Sequence, residues 1–267
     1  MCISSRKHNF CRLFVSFLYF VRNLFLDMIK GLLTNNQQFT IIYFVTLFID
    51  IIVKLNCSVL IYRFISKPFV IILLIGYLYC KIDGNTIKNH LWVFLGLFSF
   101  LIGDLLNIIE SNFLLLGLSL LFFSLGKIFF CIKFSHKRDF NVLRLIPFSI
   151  IMFAYALFFI STLFTSLNVF LVPALLSFFL TLLLVQFTFL RKGGCSKKSY
   201  LYVFIGVLLF VFSESMLTIQ LFRTDIYMPF QSFLIMMFYG ISMYLIVLGV
   251  IKEKDMKSIF PNSLQIQ

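Results

Sequence analysis

The residues that could do chemistry in this sequence are a few ionisable side chains set inside long apolar stretches. Asp104 stands in LFSFLIGDLLN and Lys127 in LLFFSLGKIFF, two stretches joined by the polar turn Glu110-Ser111-Asn112. Asp50, Lys67 (in ISKPFV) and Glu214 (in FSESML) stand in three others. A charge at membrane depth costs about 3 kcal/mol on insertion scales, so such groups turn inward and mark function. Carboxyls in unlike surroundings can divide the roles of proton donor and base, since burial and a neighbouring ammonium bias them in opposite directions. The competing reading is packing, in which Lys67 neutralises a carboxylate and the cluster pins helices together. Ser213 and Ser215 flank Glu214 without a nearby His, so they are expected to bond backbone carbonyls and not to act as nucleophiles.

Other chemistries find no support. His8, His90 and His136 fall in predicted loops or the N-terminal segment, which argues against a His-rich zinc hydrolase. Cys2, Cys11, Cys57, Cys80, Cys131 and Cys195 are scattered without a CxxC pair, so neither a metal site nor a disulfide framework is expected. No phosphate loop or dinucleotide fingerprint occurs, and no cofactor is expected.

The elements that position these groups follow from composition. Of 267 residues, 61% are hydrophobic and 12% charged, against about 45–50% and about 25% in soluble domains. Apolar runs of roughly 20 residues, enough to cross about 30 Å of hydrocarbon, recur along the chain. The fold class is therefore an all-α, polytopic membrane bundle; the alternating pattern of an outer-membrane barrel is absent. Spans are expected at 39–55, 59–80, 91–109, 113–133, 143–164, 168–190, 199–222 and 228–251. Pro68 stands one turn inside the second, beside Lys67, where it favours a kink; Pro173 falls in a first turn, where proline is tolerated.

Net charge is +13, and its placement alternates. Lys81/Lys88, Lys133/Lys137/Arg138 and Arg191/Lys192/Lys197/Lys198 lie on one side with the basic N-terminus and the Lys252/Lys254/Lys257 tail. By the positive-inside rule that side is cytoplasmic and holds both termini; on the other side the seventh connection has only Arg223, and Lys54 and Arg63 at the first connection are the exceptions. No segment is long enough to form a basic face for nucleic acid. Residues 1–38 read as an amphipathic extension suited to the membrane interface, or as an over-called start ahead of Met28; residues 39–252 form the membrane domain and 253–267 a cytoplasmic tail. Counted at about 1.5 Å per residue, Asp50, Lys67, Asp104 and Glu214 share a layer in the outer half of the membrane, with Lys127 lower.

Five motifs in register carry a resemblance to a known family. They are Lys67-Pro68, LIGDLLN (Leu101–Asn107) followed by FLLLGLSLLFFSLGK, LVPALL (Leu171–Leu176), FSESML (Phe212–Leu217) and FYGISMYLIVLG (Phe238–Gly249). Over roughly residues 40–252 the chain resembles the YhhN-like family, the lysoplasmalogenases and their relatives. The resemblance implies eight membrane helices and hydrolysis of the vinyl ether bond of lysoplasmalogens to a fatty aldehyde and a glycerophospho-head group. It also implies a multi-pass protein of the bacterial cytoplasmic membrane whose partner is a lysophospholipid or other lipid. Asp104 and Glu214 would then be the catalytic acid–base pair. Lys67, Tyr239, Lys127 and Asp50 would bind substrate or tune the pair. The chain departs from the family's usual pattern at three positions: Ser213-Glu214 replaces Ser-Asp, Lys127 stands where Ala-His is usual, and Met243 where Gln is usual. A non-catalytic lipid-binding protein on the same scaffold is the alternative. A small transporter is a third reading, suggested by the similarity of GDLLN (Gly103–Asn107) to SESML (Ser213–Leu217).

Overall fold

A computed structural model describes residues 31, 35–56, 59–82, 87–109, 112–135, 142–163, 171–192, 195–223 and 230–259. Residues 1–30 and 32–34 of the amphipathic extension, Glu110, Ser111 and His136 lie outside them, and the extension's last three residues, Asn36 to Gln38, instead open the first helix. From residue 35 onward the described residues form eight helices: α1 Asn36–Asn56, α2 Leu60–Lys81, α3 Ile87–Leu106, α4 Phe113–Phe134, α5 Val142–Leu163, α6 Leu171–Leu190, α7 Lys197–Phe222 and α8 Gln231–Ile259. Seven are long and apolar enough to cross a membrane; α5 carries a shorter apolar run, Ile146–Thr162. Their outer faces expose large apolar side chains such as Phe48, Leu114, Phe153 and Phe158, a surface that suits lipid and would aggregate in water. The chain is thus an integral, multi-pass membrane protein.

Helix ends follow local chemistry. Asn112 caps α4, its Oδ1 accepting from the Leu114 and Leu115 amides at 3.1 and 3.3 Å. Ser196 caps α7 through the Ser199 amide at 3.1 Å. Two expectations need correction. α3 ends at Leu106, not at 109, and passes into a turn at Asn107 and Ile108, so Asp104 lies in its last turn, nearer the helix end than expected. His90 is buried inside α3 and not in a loop.

Neighbours in sequence pack together: α1 on α2, α2 on α3, α3 on α4, α6 on α7 and α7 on α8. α4 packs on α6, and α8 returns to α1, so seven helices close a ring with α5 outside against α6 and α7. The closure is hydrogen-bonded. Tyr43 donates to the Gly240 carbonyl at 2.8 Å, and the Thr40 and Tyr244 hydroxyls meet at 2.6 Å. At the far end, Glu253 of α8 pairs with Arg191 at 3.3 Å and Lys133 at 3.4 Å, while Arg191 stacks 4.7 Å over Phe134.

Close approach of α7 to α8 depends on Gly206. A Cβ there would lie 2.9 Å from the Ser242 carbonyl oxygen, which is backbone and cannot rotate away. Without a hydrophobic drive between membrane helices, such small-residue contacts hold them together. Gly206→Ala is expected to destabilise the bundle by about 1–3 kcal/mol, seen as a lower Tm of the purified protein; an unchanged Tm would show that the helices separate freely.

Candidate functional site

The ring encloses a cavity near the end where α1 joins α2, with about 1130 Å³ of space between atoms, open solvent included. Leu116, Leu120, Phe178, Leu217 and Leu221 give it apolar walls; Lys67, Asp104, Glu214 and Tyr239 give it a polar floor, and Lys54 and Arg63 line it as well. Residues near the C-terminal ends of α1, α3, α5 and α7 and near the N-terminal ends of α2, α4, α6 and α8 all contribute, which is the alternation the loop charges predict.

Two ion pairs organise the floor. Lys67 Nζ of α2 lies 3.0 Å from Asp104 Oδ1 of α3, and Tyr239 of α8 donates its phenolic O–H to Asp104 Oδ2 at 2.6 Å. Lys127 of α4 binds Glu214 Oε1 of α7, and from α6 Ser177 donates to the same oxygen at 3.2 Å. Lys127 Nζ also donates to the Ser177 carbonyl at 3.1 Å and the Ser177 hydroxyl at 2.7 Å, so each of its three hydrogens has an acceptor. Thr181, one turn along α6, places its Oγ1 2.6 Å from Glu214 Oε2 and 3.0 Å from the Ser177 carbonyl. Phe210 stands between the pairs, its ring 5.7 Å from Lys127 Nζ and 6.3 Å from the Tyr239 ring. The side chains of Lys127, Asp104 and Lys67 are 0%, 4% and 8% exposed, but Glu214 is 18% exposed. Of the four, Glu214 has the most open side.

The expectation that Lys127 lies apart from the carboxylate layer is corrected by this contact. A helical side chain leans toward its helix's N-terminus. The N-terminus of α4 is at the cavity end, so the long lysine stem climbs toward it, while Glu214 on the oppositely directed α7 leans down. Two departures from the family pattern, Lys127 and the extra methylene of Glu214, therefore meet as one pair.

The remaining candidates are placed as follows. Asp50 is buried on α1, where it accepts from Ser66 at 2.6 Å, and it does not line the cavity. Met243 is buried in the core one turn beyond Tyr239. Ser213 and Ser215 bond the Ile235 and Val211 carbonyls at 2.9 and 2.7 Å, as the sequence predicts, and Ser215 also meets the Tyr155 hydroxyl. Pro68 sits inside an α2 that runs unbroken from Leu60 to Lys81. Ser177 and Thr181 are the participants not foreseen. Their signal was an i, i+4 pair of hydroxyls in an otherwise apolar helix, LLSFFLTLLL. Among the described residues no three His, Cys, Asp or Glu side chains converge as a metal site requires.

Replacing one member of a buried ion pair leaves its partner uncompensated and typically costs about 3–5 kcal/mol, whereas replacing both with apolar residues is often neutral. Lys67→Met is expected to lower stability by that order, and Lys67→Met/Asp104→Leu to recover most of it. Denaturation of the single and double variants in detergent measures the coupling; additive losses would show that the two side chains do not act as a pair.

The YhhN family profile matches residues 62–250, which span all the helices that carry the two ion pairs. Neither a curated protein nor a solved structure matches the chain. The chain belongs to the YhhN family.

Proposed function

We propose that the protein is a membrane-embedded hydrolase of lysoplasmalogenase type, cleaving the vinyl ether of a single-chain phospholipid. The observation that carries this reading is that Asp104 and Glu214 line the same apolar cavity with different hydrogen-bond surroundings. Vinyl ether hydrolysis needs two such groups. A proton is first added to the alkenyl carbon remote from oxygen, which makes an oxocarbenium ion. Water then adds to the adjacent carbon and loses a proton to a base. The hemiacetal collapses as its hydroxyl proton passes to the departing glycerol oxygen, giving aldehyde and alcohol.

Glu214 is assigned the donor role because it is the more open of the two carboxylates, 18% exposed against 4% for Asp104, and because Thr181 can serve it in either charge state. When Glu214 is ionised, the single hydrogen of Thr181 Oγ1 points to Oε2 at 2.6 Å. When Glu214 is protonated, Oε2–H donates to Thr181, whose own hydrogen turns to the Ser177 carbonyl at 3.0 Å. Asp104 receives Lys67 and the Tyr239 O–H, and in this reading it is the carboxylate that faces the developing cation and the incoming water. The apolar walls hold the alkyl chain and limit water to the polar floor. By the distribution of Lys and Arg, the cavity lies toward the side away from the cytoplasm, in what the family resemblance suggests is a bacterial inner membrane.

Purified protein given a lysoplasmalogen is expected to release fatty aldehyde, and given an ester-linked lysophospholipid to release none. Asp104→Asn and Glu214→Gln should each lower the rate by at least about 10²-fold, the scale of general acid–base catalysis. Folded, monodisperse protein that forms no product from either lipid would replace this reading with non-catalytic lipid binding on the same scaffold. Thr181→Val should slow the reaction while Thr181→Ser largely preserves it, as pre-steady-state aldehyde formation would measure; equal rates in both would remove Thr181 from the proton path.

A further inference from the structure

Two buried polar side chains line the cavity without a protein partner. Asn107 is 5% exposed and Ser119 1%, both belong to the cavity lining, and neither side chain has a hydrogen-bond partner among the described residues. For Ser119 this is unusual. Ser99, Ser124 and Thr218 each donate to the carbonyl four residues back, as hydroxyls inside helices commonly do, and Ser119 does not. The register of α3 on α4 brings the two side chains to one level. A Cβ on Gly126 would meet the Phe100 ring at 2.9 Å and one on Gly103 the Phe123 ring at 3.2 Å, so Phe100 faces Gly126 and Gly103 faces Phe123. One turn further along this antiparallel pair, the same register sets Asn107 opposite Ser119. The Asn107 backbone N–H still bonds the Gly103 carbonyl at 3.0 Å, which holds it in that turn. Asn107 stands three residues beyond Asp104, about 4.5 Å along the helix axis. A buried donor or acceptor without a partner is costly, and a ligand in the cavity would supply one.

We propose that Asn107 and Ser119 form an uncharged subsite for the free glycerol hydroxyl of a single-chain phospholipid, the hydroxyl that a second acyl chain would esterify. The subsite rests on the lipid reading above. A secondary alcohol both donates and accepts a hydrogen bond, and so do a carboxamide and a serine hydroxyl. In the substrate, four bonds separate the alkenyl carbon that takes up water from that hydroxyl oxygen, about 5 Å when extended. The rise from Asp104 to Asn107 matches this span, so a hydroxyl held at the subsite sets the reacting carbon at the level of Asp104. An esterified oxygen cannot donate, and its acyl chain would have to pass between Asn107 and Ser119. The pair therefore selects single-chain lipid. A site built to bond a substrate hydroxyl rejects an analogue without one, because its own polar groups are then left unpaired.

The experiment measures equilibrium binding in nanodiscs of a diacyl phospholipid, which offers no free glycerol hydroxyl. The probes are a 1-O-alkyl lysophospholipid, whose saturated ether the vinyl ether route does not cleave, its 2-deoxy analogue and its 2-O-methyl ether. Wild-type protein is expected to bind the hydroxyl probe at least about tenfold more tightly than either analogue, the scale of one buried hydrogen bond. Asn107→Leu and Ser119→Ala should each reduce that preference and the double variant abolish it. The deoxy probe should bind all three variants at least as tightly as it binds wild type, which shows that they remain folded. Ser119→Thr, which keeps a hydroxyl, should keep part of the preference. Equal binding of the hydroxyl and deoxy probes to wild type would overturn the subsite and leave the pair to a water molecule. A preference that survives in the double variant, or equal weakening of all three probes in folded Ser119→Ala, would overturn it too. Aldehyde release from a lysoplasmalogen without a hydroxyl preference removes the subsite and leaves the hydrolase; a hydroxyl preference without aldehyde release does the reverse.

Discussion

Hydrocarbon on all sides leaves no water to solvate a charge, so every ionised group inside this bundle must find its counter-charge within it. Lys67 meets Asp104, and Lys127 meets Glu214. These two contacts fix which helices must be neighbours, because the first joins α2, α3 and, through Tyr239, α8, and the second joins α4, α7 and, through Ser177 and Thr181, α6. Six of the seven ring helices thus converge on four charges. The Glu253 contacts to Arg191 and Lys133 do similar work at the opposite end, where α4, α6 and α8 come together. Small residues such as Gly206 let the backbones approach closely enough for side chains of fixed length to reach.

The same constraint shapes the cavity. Each carboxylate is paired with its lysine, and both carboxylates line the space shared with Leu116, Leu120, Phe178 and Leu217. An apolar chamber with charged groups confined to one floor is suited to a molecule that is mostly hydrocarbon and reactive at a single polar bond. Hydroxyls matter beyond their number because each carries one hydrogen and can reverse its direction. Thr181, lying between a carboxylate and a backbone carbonyl, is placed to do so.

Much of this was legible in the sequence. Runs of about 20 apolar residues, punctuated by basic loops, predict the helices and their alternation, because crossing hydrocarbon admits few other solutions. The inward-facing ionisable groups were legible for the same reason, and burial of Asp50, Lys67, Asp104 and Lys127 follows that logic. What the sequence hides is partnership. Counting residues by depth separates Lys127 from Glu214, yet a lysine stem spans several ångströms and leans along its helix, so Cα depth misjudges where the ammonium ends. The stop of α3 at Leu106 was equally hidden, since LLNII reads as continuous apolar helix; the turn at Asn107 shows only in the fold. Ser177 and Thr181 lie in an otherwise apolar helix, and only the approach of α6 to α4 and α7 brings them to Glu214.

The central claim is that a carboxyl in the cavity delivers a solvent-derived proton to carbon. Turnover of a lysoplasmalogen in heavy water tests it most directly. With Glu214 as a donor recharged from solvent, the released aldehyde should carry a single deuterium on the carbon next to the carbonyl, and its formation should fall by at least about 10²-fold in Glu214→Gln. Aldehyde released without deuterium at that carbon, or labelled aldehyde formed equally well by Glu214→Gln, would contradict the account.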